Sequence, residues 1–319
     1  MLRESKGYLS GQQLCDRLGV SRTAVWKTIG QLKEEGYEIQ AVRNKGYRLV
    51  QGADVITRAE LESSMDSDWA GSNLVYYDST DSTNNRARQL AEEGASHGTL
   101  VVADSQTAGK GRRGRHWEAP DGTGIWMTLI LRPDMEPQSA SMLTLVAAMA
   151  VAEAIRHITG LEAVIKWPND IVCNGKKAVG ILTEMSTEAE WIRYVIVGIG
   201  INVNMEAFPG DLGQTATSLK LELGCSVKRS PLIGAVMKAF EKYYAMFEAD
   251  GDLSGMVDTY NAWSANAGRQ VRVLDPAGEY RGEALGIDSQ GALLVKCSEG
   301  EVKSVISGEV SVRGIYGYV

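Results

Sequence analysis

Apolar positions in the first fifty residues recur at helical spacing and then alternate. Leu14 and Leu18 share one face of a short segment, Gly11–Leu18, which Ser10 can cap. After a Gly19-Val20 turn, Val25, Ile29 and Leu32 fall at i, i+4 and i+7. That spacing predicts a second helix, capped by Ser21, running to about Glu35 and ended by Gly36. Glu38–Val42 and Tyr47–Val50 then read as short strands around the turn Arg43-Asn44-Lys45-Gly46. Helix, turn, helix and hairpin at this spacing predict a winged helix-turn-helix over residues 1–52. The second helix of such a domain enters a major groove and the hairpin lies on the backbone. Ser21, Arg22, Thr23, Trp26 and Lys27, with Arg43 and Lys45 on the wing, are therefore the candidate DNA contacts. Only nine residues precede Ser10, and they are mostly polar, so the extra first helix usual in this fold is expected to be short or missing.

Residues 51–56 read as a linker, and Thr57-Arg58-Ala59-Glu60 as a capping box that opens a short helix. Beyond it, strand runs (Thr99–Ala103, Gly124–Leu131, Ala163–Lys166, Val179–Glu184, Tyr194–Gly198) mix with longer helical patterns. These lie near Asn84–Glu93, Ser139–Thr159 and Pro231–Glu248, the last with Ser230 as its cap. Asn174-Gly175 between two strand runs is a hairpin turn, so neighbouring strands run antiparallel. The expected class is α+β, with a mixed sheet over residues 57–265. From Gly268 the pattern shortens to strands separated by turns at Pro276-Ala277-Gly278, Ser289-Gln290-Gly291 and Glu299-Gly300. This predicts a small β-barrel over residues 268–319.

Composition narrows the class. The chain has 319 residues, 44% hydrophobic and 23% charged, which is globular and long enough for two or three domains. The longest nearly unbroken apolar run, Met142–Ala152, falls short of a membrane span, and the first residues contain no signal-peptide core. Four scattered cysteines and three histidines (His97, His116, His157) argue against disulfides and against a resident metal. A soluble cytoplasmic protein with no membrane partner is expected. The net charge of −7 is uneven: residues 1–50 carry +4 and the remainder −11. A basic head on an acidic body fits one surface facing a polyanion.

The densest chemistry lies in Gly109-Lys110-Gly111-Arg112-Arg113-Gly114-Arg115. It matches a dinucleotide fingerprint in letters only. That fingerprint needs a strand directly before it and a helix directly after it, whereas Pro120 and Gly122 break any helix here. The alternatives are a solvated basic turn or a mobile loop whose cations neutralise an anionic ligand. Lys166-Trp167-Pro168-Asn169-Asp170 follows an apolar strand, and Lys176-Lys177 opens the next hairpin arm. The hairpin can bring Lys166 and Lys177 to one mouth of the sheet, although a lone lysine is commonly only surface. Gly198-Ile199-Gly200-Ile201-Asn202 ends another strand with glycines that permit close approach. Asp78–Asn84 is rich in hydroxyls at a strand-to-helix junction, more than one helix cap requires.

In this order, Asp81–Asn84, Gln106–Arg115, Lys166–Asp170, Lys177–Leu182 and Gly198–Asn202 resemble the biotin protein ligases. The N-terminal domain resembles that of the class that also represses the biotin operon, and the family ends in an SH3-like barrel. The resemblance implies a central fold like that of class II synthetases. It implies formation of biotinyl-5′-AMP from biotin and ATP, with Mg²⁺ accompanying ATP, and transfer of biotin to a lysine of a biotin carboxyl carrier protein. It also implies operator DNA and a second copy of the chain as partners. Carried over by position, Ser82, Thr83, Asn84, Gln106, Lys110 and Gly111 bind biotin. Arg112 and Lys177 act at its carboxylate and the α-phosphate, and Arg113, Arg115, Lys166, Asn169 and Asn202 serve the nucleotide. Where the family loop commonly begins Gly-Arg-Gly, Lys110 keeps the charge without a planar fork. The competing readings are a sensing repressor without catalysis and a lipoate or octanoate transferase. Pyrophosphate release dependent on biotin and ATP separates all three.

Overall fold

The computed structural model describes residues 1–2, 5, 7–34, 36–50, 54–188, 191–275, 278–307, 311–314 and 318. It divides into two compact units, Met1–Glu60 and Leu61–Val319. The expected end of the second helix at Glu35, the first half of the 51–56 linker and the first two residues of the Pro276–Gly278 turn lie outside the described residues.

In the first unit, α1 (Gly11–Leu18) and α2 (Arg22–Glu34) precede a hairpin of β1 (Ile39–Val42) and β2 (Gly46–Leu49). Ser10 and Gln13 form a reciprocal capping box on α1, and Gly19 closes it in the left-handed conformation at φ 66°. The Ser21 hydroxyl accepts from the Ala24 amide, which starts α2. Leu14, Cys15, Val25, Ile29 and Ile39 form a small core with Leu9. Among the described residues no helix precedes α1. Leu9 pairs its backbone with Tyr47, and Leu2 packs against the same core.

The second unit centres on a seven-stranded sheet, formed by β3 (Asn73–Thr80), β4 (Thr99–Gln106), β5 (Gly124–Leu131), β6 (Val164–Lys166), β7 (Asp170–Cys173), β8 (Lys176–Glu188) and β9 (Trp191–Asn202). Their spatial order is β3-β4-β5-β9-β8-β7-β6. Only β3 and β4 run parallel, joined through α4 (Thr83–Glu92); the other neighbours are antiparallel. Asn174 (φ 47°) and Gly175 (φ 76°) make the expected tight turn from β7 to β8. Preceded by α3 (Arg58–Ser64), the sheet carries α5 (Met142–Thr159), buried along most of its length. With its preceding turn, this stretch is long and apolar enough to cross a membrane, but 78% of its most apolar window is buried inside the protein. It is a core helix.

Three short helices, α6 (Leu212–Thr215), α7 (Leu219–Leu223) and α9 (Val257–Ala262), flank the long α8 (Arg229–Asp250), which packs on α5. Helix α8 starts earlier than its sequence suggests. Lys228 is its cap, and Ser230 is buried in its first turn beside Arg229, which pairs with Asp104 at 2.6 Å. A buried ion pair anchors this helix start rather than a hydroxyl cap. The final strands β10 (Arg269–Asp275), β11 (Gly278–Ile287), β12 (Leu293–Cys297), β13 (Val302–Val305) and β14 (Ser311–Gly314) form a separate antiparallel sheet. It docks on the central domain where the Trp167 indole N–H donates to the carbonyl of Gly291 at 3.0 Å.

Candidate active site

The glycine-rich segment folds as a tight ribbon. The Gly111 amide donates to the Arg115 carbonyl at 2.7 Å, and the Trp117 amide to the Gly109 carbonyl at 3.0 Å. A Cβ at position 109 would lie 2.5 Å from the Trp117 carbonyl oxygen, so only glycine allows this approach. At the tip Arg113 takes the left-handed conformation (φ 59°) in a single 3₁₀ turn. The ribbon delivers Trp117 to the sheet, where Gly180 of β8 and Gly200 of β9 are paired. A Cβ at either glycine would fall within 2.9 Å of the indole. The two glycines therefore form a flat floor under an aromatic side chain.

One end of this floor is lined by hydroxyl and amide groups. The backbone amide and hydroxyl of Thr83 both donate to Gln106 Oε1, at 2.7 and 3.0 Å. Ser82 is the N-cap residue of α4 yet makes no side-chain bond to that helix. A plain cap is thus not its role. Asn84 lines the same space, but its amide is committed to the sheet. Its Oδ1 accepts from Thr128 at 2.7 Å, and its Nδ2 donates to Glu184 at 2.7 Å. The Asp81 carboxylate is held down to about 2, chiefly by the bond from Asn85, whose amide oxygen accepts in turn from Lys110 at 3.3 Å. This chain ties the hydroxyl-rich turn to the basic ribbon.

The other end is cationic. Arg112 donates to Asn169 Oδ1 at 3.0 Å, and Asn169 Nδ2 donates to the Ile181 carbonyl. Burial lowers the pKa of the Arg112 guanidinium; Asp170 opposes that shift, while Arg113 and Arg115 add to it. Lys177 pairs with Asp170 at 2.6 Å and lies 5.2 Å from the Trp117 ring centre. Lys166 is buried, and burial pushes its ammonium down to about 8, with Asp170 opposing and Lys177, Arg313 and Arg115 reinforcing. Asn202 is buried and donates to the Thr217 carbonyl at 3.1 Å.

Two cavities meet here. A small one of about 50 Å³ holds Ser82, Thr83, Gln106, Lys110 and the glycines of β8 and β9. A larger cleft of about 710 Å³ holds Arg113, Arg115, Lys166, Asn202 and Arg313. Their common rim is Gly111, Arg112, Trp117, Asn169 and Lys177. All the catalytic-domain candidates read from sequence thus gather at one site, and the cations assigned to the reacting groups sit at the junction. Sequence reasoning passed over Asp170, Arg313 and Tyr318 as site residues, and Trp126 in the small cavity. The indole N–H groups of Trp117 and Trp126 are buried without an acceptor among the described residues. In the first unit, Arg22, Thr23, Trp26, Lys27, Arg43 and Lys45 are all exposed, Trp26 at 68%. Trp26 is a large apolar side chain left on the outward face of α2.

Residues 76–202 match the Biotin/lipoate A/B protein ligase family, residues 1–48 an HTH domain, and residues 267–313 the Biotin protein ligase C terminal domain. The chain belongs to the biotin protein ligase family. Within it, the chain falls with the bifunctional members. It is 43% identical over 307 residues to the bifunctional ligase/repressor BirA of Bacillus subtilis, covering 96% of this chain and 94% of that protein. It is 37% identical over 225 residues to the biotin–[acetyl-CoA-carboxylase] ligase of Paracoccus denitrificans, covering 68% of this chain and 91% of that one. The biotin protein ligase of Aquifex aeolicus in complex with biotin and ATP superposes with a TM-score of 0.67 at 32% identity, covering 76% of this chain and 99% of that chain.

Proposed function

We infer that this chain is an ATP-dependent biotin–[biotin carboxyl carrier protein] ligase and, through its N-terminal unit, a transcriptional repressor of biotin synthesis genes. The observation that carries the ligase reading is the shared rim of the two cavities. A carboxylate entering from the small cavity and a triphosphate in the cleft meet at Arg112 and Lys177. There the biotin carboxylate oxygen attacks the α-phosphorus, the bond to the β-phosphate oxygen breaks, and pyrophosphate leaves. In the second step a carrier lysine amine attacks the acyl carbon, the acyl–phosphate bond breaks, and AMP departs. Both reactants of the first step are anions, so cations fixed between them supply the main catalytic effect. No nucleophilic side chain is needed.

Ser82, Thr83 and Gln106 offer hydroxyl and amide groups to the uncharged ureido head, while Lys110 and Gly111 close the ribbon over it. Asn84 serves this pocket indirectly, by fixing the strand beneath. Arg113, Arg115, Lys166 and Asn202 face the nucleotide, and Asn169 contributes by holding Arg112. Mg²⁺ enters this reading as the counter-ion that ATP brings with it. The C-terminal domain match favours biotin over lipoate. The division of labour is by domain: residues 1–52 for DNA, 57–265 for catalysis and 268–319 for the barrel. The protein works in the cytoplasm, with a homodimer matching a two-fold operator.

The deciding experiment measures pyrophosphate–ATP exchange with and without biotin, followed by labelling of a purified carrier domain. Exchange that needs biotin, and label confined to the carrier, is the expected result. Exchange stimulated by lipoate or octanoate instead would reject biotin as substrate, and no exchange with any acid would leave only a sensing repressor.

A further inference from the structure

Tyr318, far from every motif, reaches into the nucleotide cleft. Its ring centre lies 3.3 Å from Lys166 Nζ, and its hydroxyl donates to Asp170 Oδ2 at 2.5 Å. The other oxygen of Asp170 faces Lys177 Nζ at 2.6 Å. Lys166 and Asp170 are cross-strand partners on β6 and β7, and Lys177 stands on β8 opposite Val172. One aromatic side chain from the end of the chain therefore touches one cation directly and reaches a second through a single carboxylate.

We infer that Tyr318 is a positioning residue for the adenylation step: its hydroxyl orients Asp170 and thereby aims Lys177, while its ring holds the Lys166 ammonium in the cleft. The inference rests on the ligase reading above. A carboxylate rotates about a soft terminal torsion, and here it has two lysines within reach. With the phenol bound to Oδ2, Oδ1 is left to Lys177. A lysine ammonium sits on a flexible stem, so its aim comes from its partners rather than from its own geometry. The ring face gives the buried Lys166 an electrostatic partner where water is largely excluded, the setting in which cation–π contacts are strongest. The two contacts separate chemically, because phenylalanine keeps the ring and loses the hydroxyl.

The test compares Tyr318→Phe, Tyr318→Ala and wild type, all full length, by steady-state pyrophosphate exchange. For Tyr318→Phe the expected result is a KM for ATP within about two-fold of wild type and a kcat lowered about ten-fold, the loss of one hydrogen bond to a charged group. Tyr318→Ala should show the same fall in kcat and, in addition, a KM for ATP raised about five-fold by loss of the cation–π contact. Melting temperatures identify misfolding; if alanine unfolds the barrel, the kcat of the phenylalanine variant alone decides. Wild-type kinetics in the phenylalanine variant would overturn the inference. An unchanged KM for ATP in the alanine variant, with the same fall in kcat as phenylalanine, would overturn the ring's part and leave the effect to the hydroxyl alone. A lower KM for ATP in the alanine variant would also overturn it, and would show a tail that competes with the nucleotide. Wild-type protein without biotin-dependent exchange would instead overturn the ligase reading.

Discussion

Lys166 makes the sharpest pH prediction. It is 6% exposed, and its ammonium is pushed down to about 8, first by burial and then by Lys177, Arg313 and Arg115, against the opposing pull of Asp170. A pKa near 8 leaves roughly nine-tenths of the free enzyme protonated at pH 7 and roughly one-tenth at pH 9. Biotin's carboxylate and the ATP phosphates are ionised across this window, since the last phosphate proton leaves near pH 6. If the charged form alone binds nucleotide productively, kcat/KM for ATP falls about ten-fold from pH 7 to pH 9. Lys166→Arg keeps its charge throughout, so its profile should lose that limb, at a lower overall level. Stability should move the other way. The unfolded chain binds the proton more tightly between pH 8 and about 10, so Lys166 contributes a stability that rises with pH in that window. At pH 7 its burial costs at most about 3 kcal/mol. Lys166→Met should therefore unfold at higher urea than wild type at pH 7, without substrates, while losing exchange activity. A flat wild-type profile, or the same limb in Lys166→Arg, would refute this account of the site.

Arg112→Gly removes a donor from the junction, and adenylation should slow by about 10²–10³ in exchange assays, with adenylate escaping to label bystander lysines. Lys177→Ala should lose adenylation comparably, whereas His116→Ala, whose partner is the exposed Glu118, should leave the rate within about two-fold. Gly198→Ala places a Cβ 2.1 Å from Asn84 Oδ1 and breaks the bonds to Thr128 and Glu184, so thermal unfolding should report a loss of about 2–4 kcal/mol. Operator binding should fall steeply with salt, and removing Arg43 or Lys45 should each lower the slope of log K against log salt by about 1 in gel-shift titrations.

What the sequence discloses here is local. The cap at Ser10, the turn at Asn174-Gly175 and the helical pattern ending at Thr159 are set by residues a few positions apart, and they appear where their chemistry puts them. The site was legible to the extent that its residues announce themselves as charge among glycines. For Asn84 the sequence does not show that an amide lining the small cavity is also held by the Thr128 hydroxyl, 44 residues away. Ser230 misleads, since Lys228 is the cap and the helix start is tied down by the Arg229–Asp104 ion pair, which spans 125 residues. Tyr318 and Asp170 are 148 residues apart, and no periodicity connects them. The strand before the Asp78–Asn84 junction is marked by that junction alone, because its last residues, Asp78-Ser79-Thr80, are polar where they approach the site.

Two residues named from the sequence stand in environments that no sequence pattern announces. Lys166 is buried among cations and Arg113 takes a left-handed turn, and each arrangement costs free energy. A chain selected for stability alone would place an apolar side chain at Lys166 and a glycine at Arg113. Lys166 and Arg113 both line the nucleotide cleft, where phosphate oxygens would bring negative charge to them. Binding free energy then appears twice, as affinity and as stabilisation of the fold. Biotin and a non-hydrolysable ATP analogue together should raise the melting temperature by more than the sum of their separate effects, because the Lys110–Arg115 ribbon lines both cavities and the ligand that fixes it first spares the second that ordering cost, which outweighs the repulsion between the two anions. In Arg112→Gly that excess should shrink. An additive or smaller response in the wild-type chain would mean that the ribbon does not couple the two cavities.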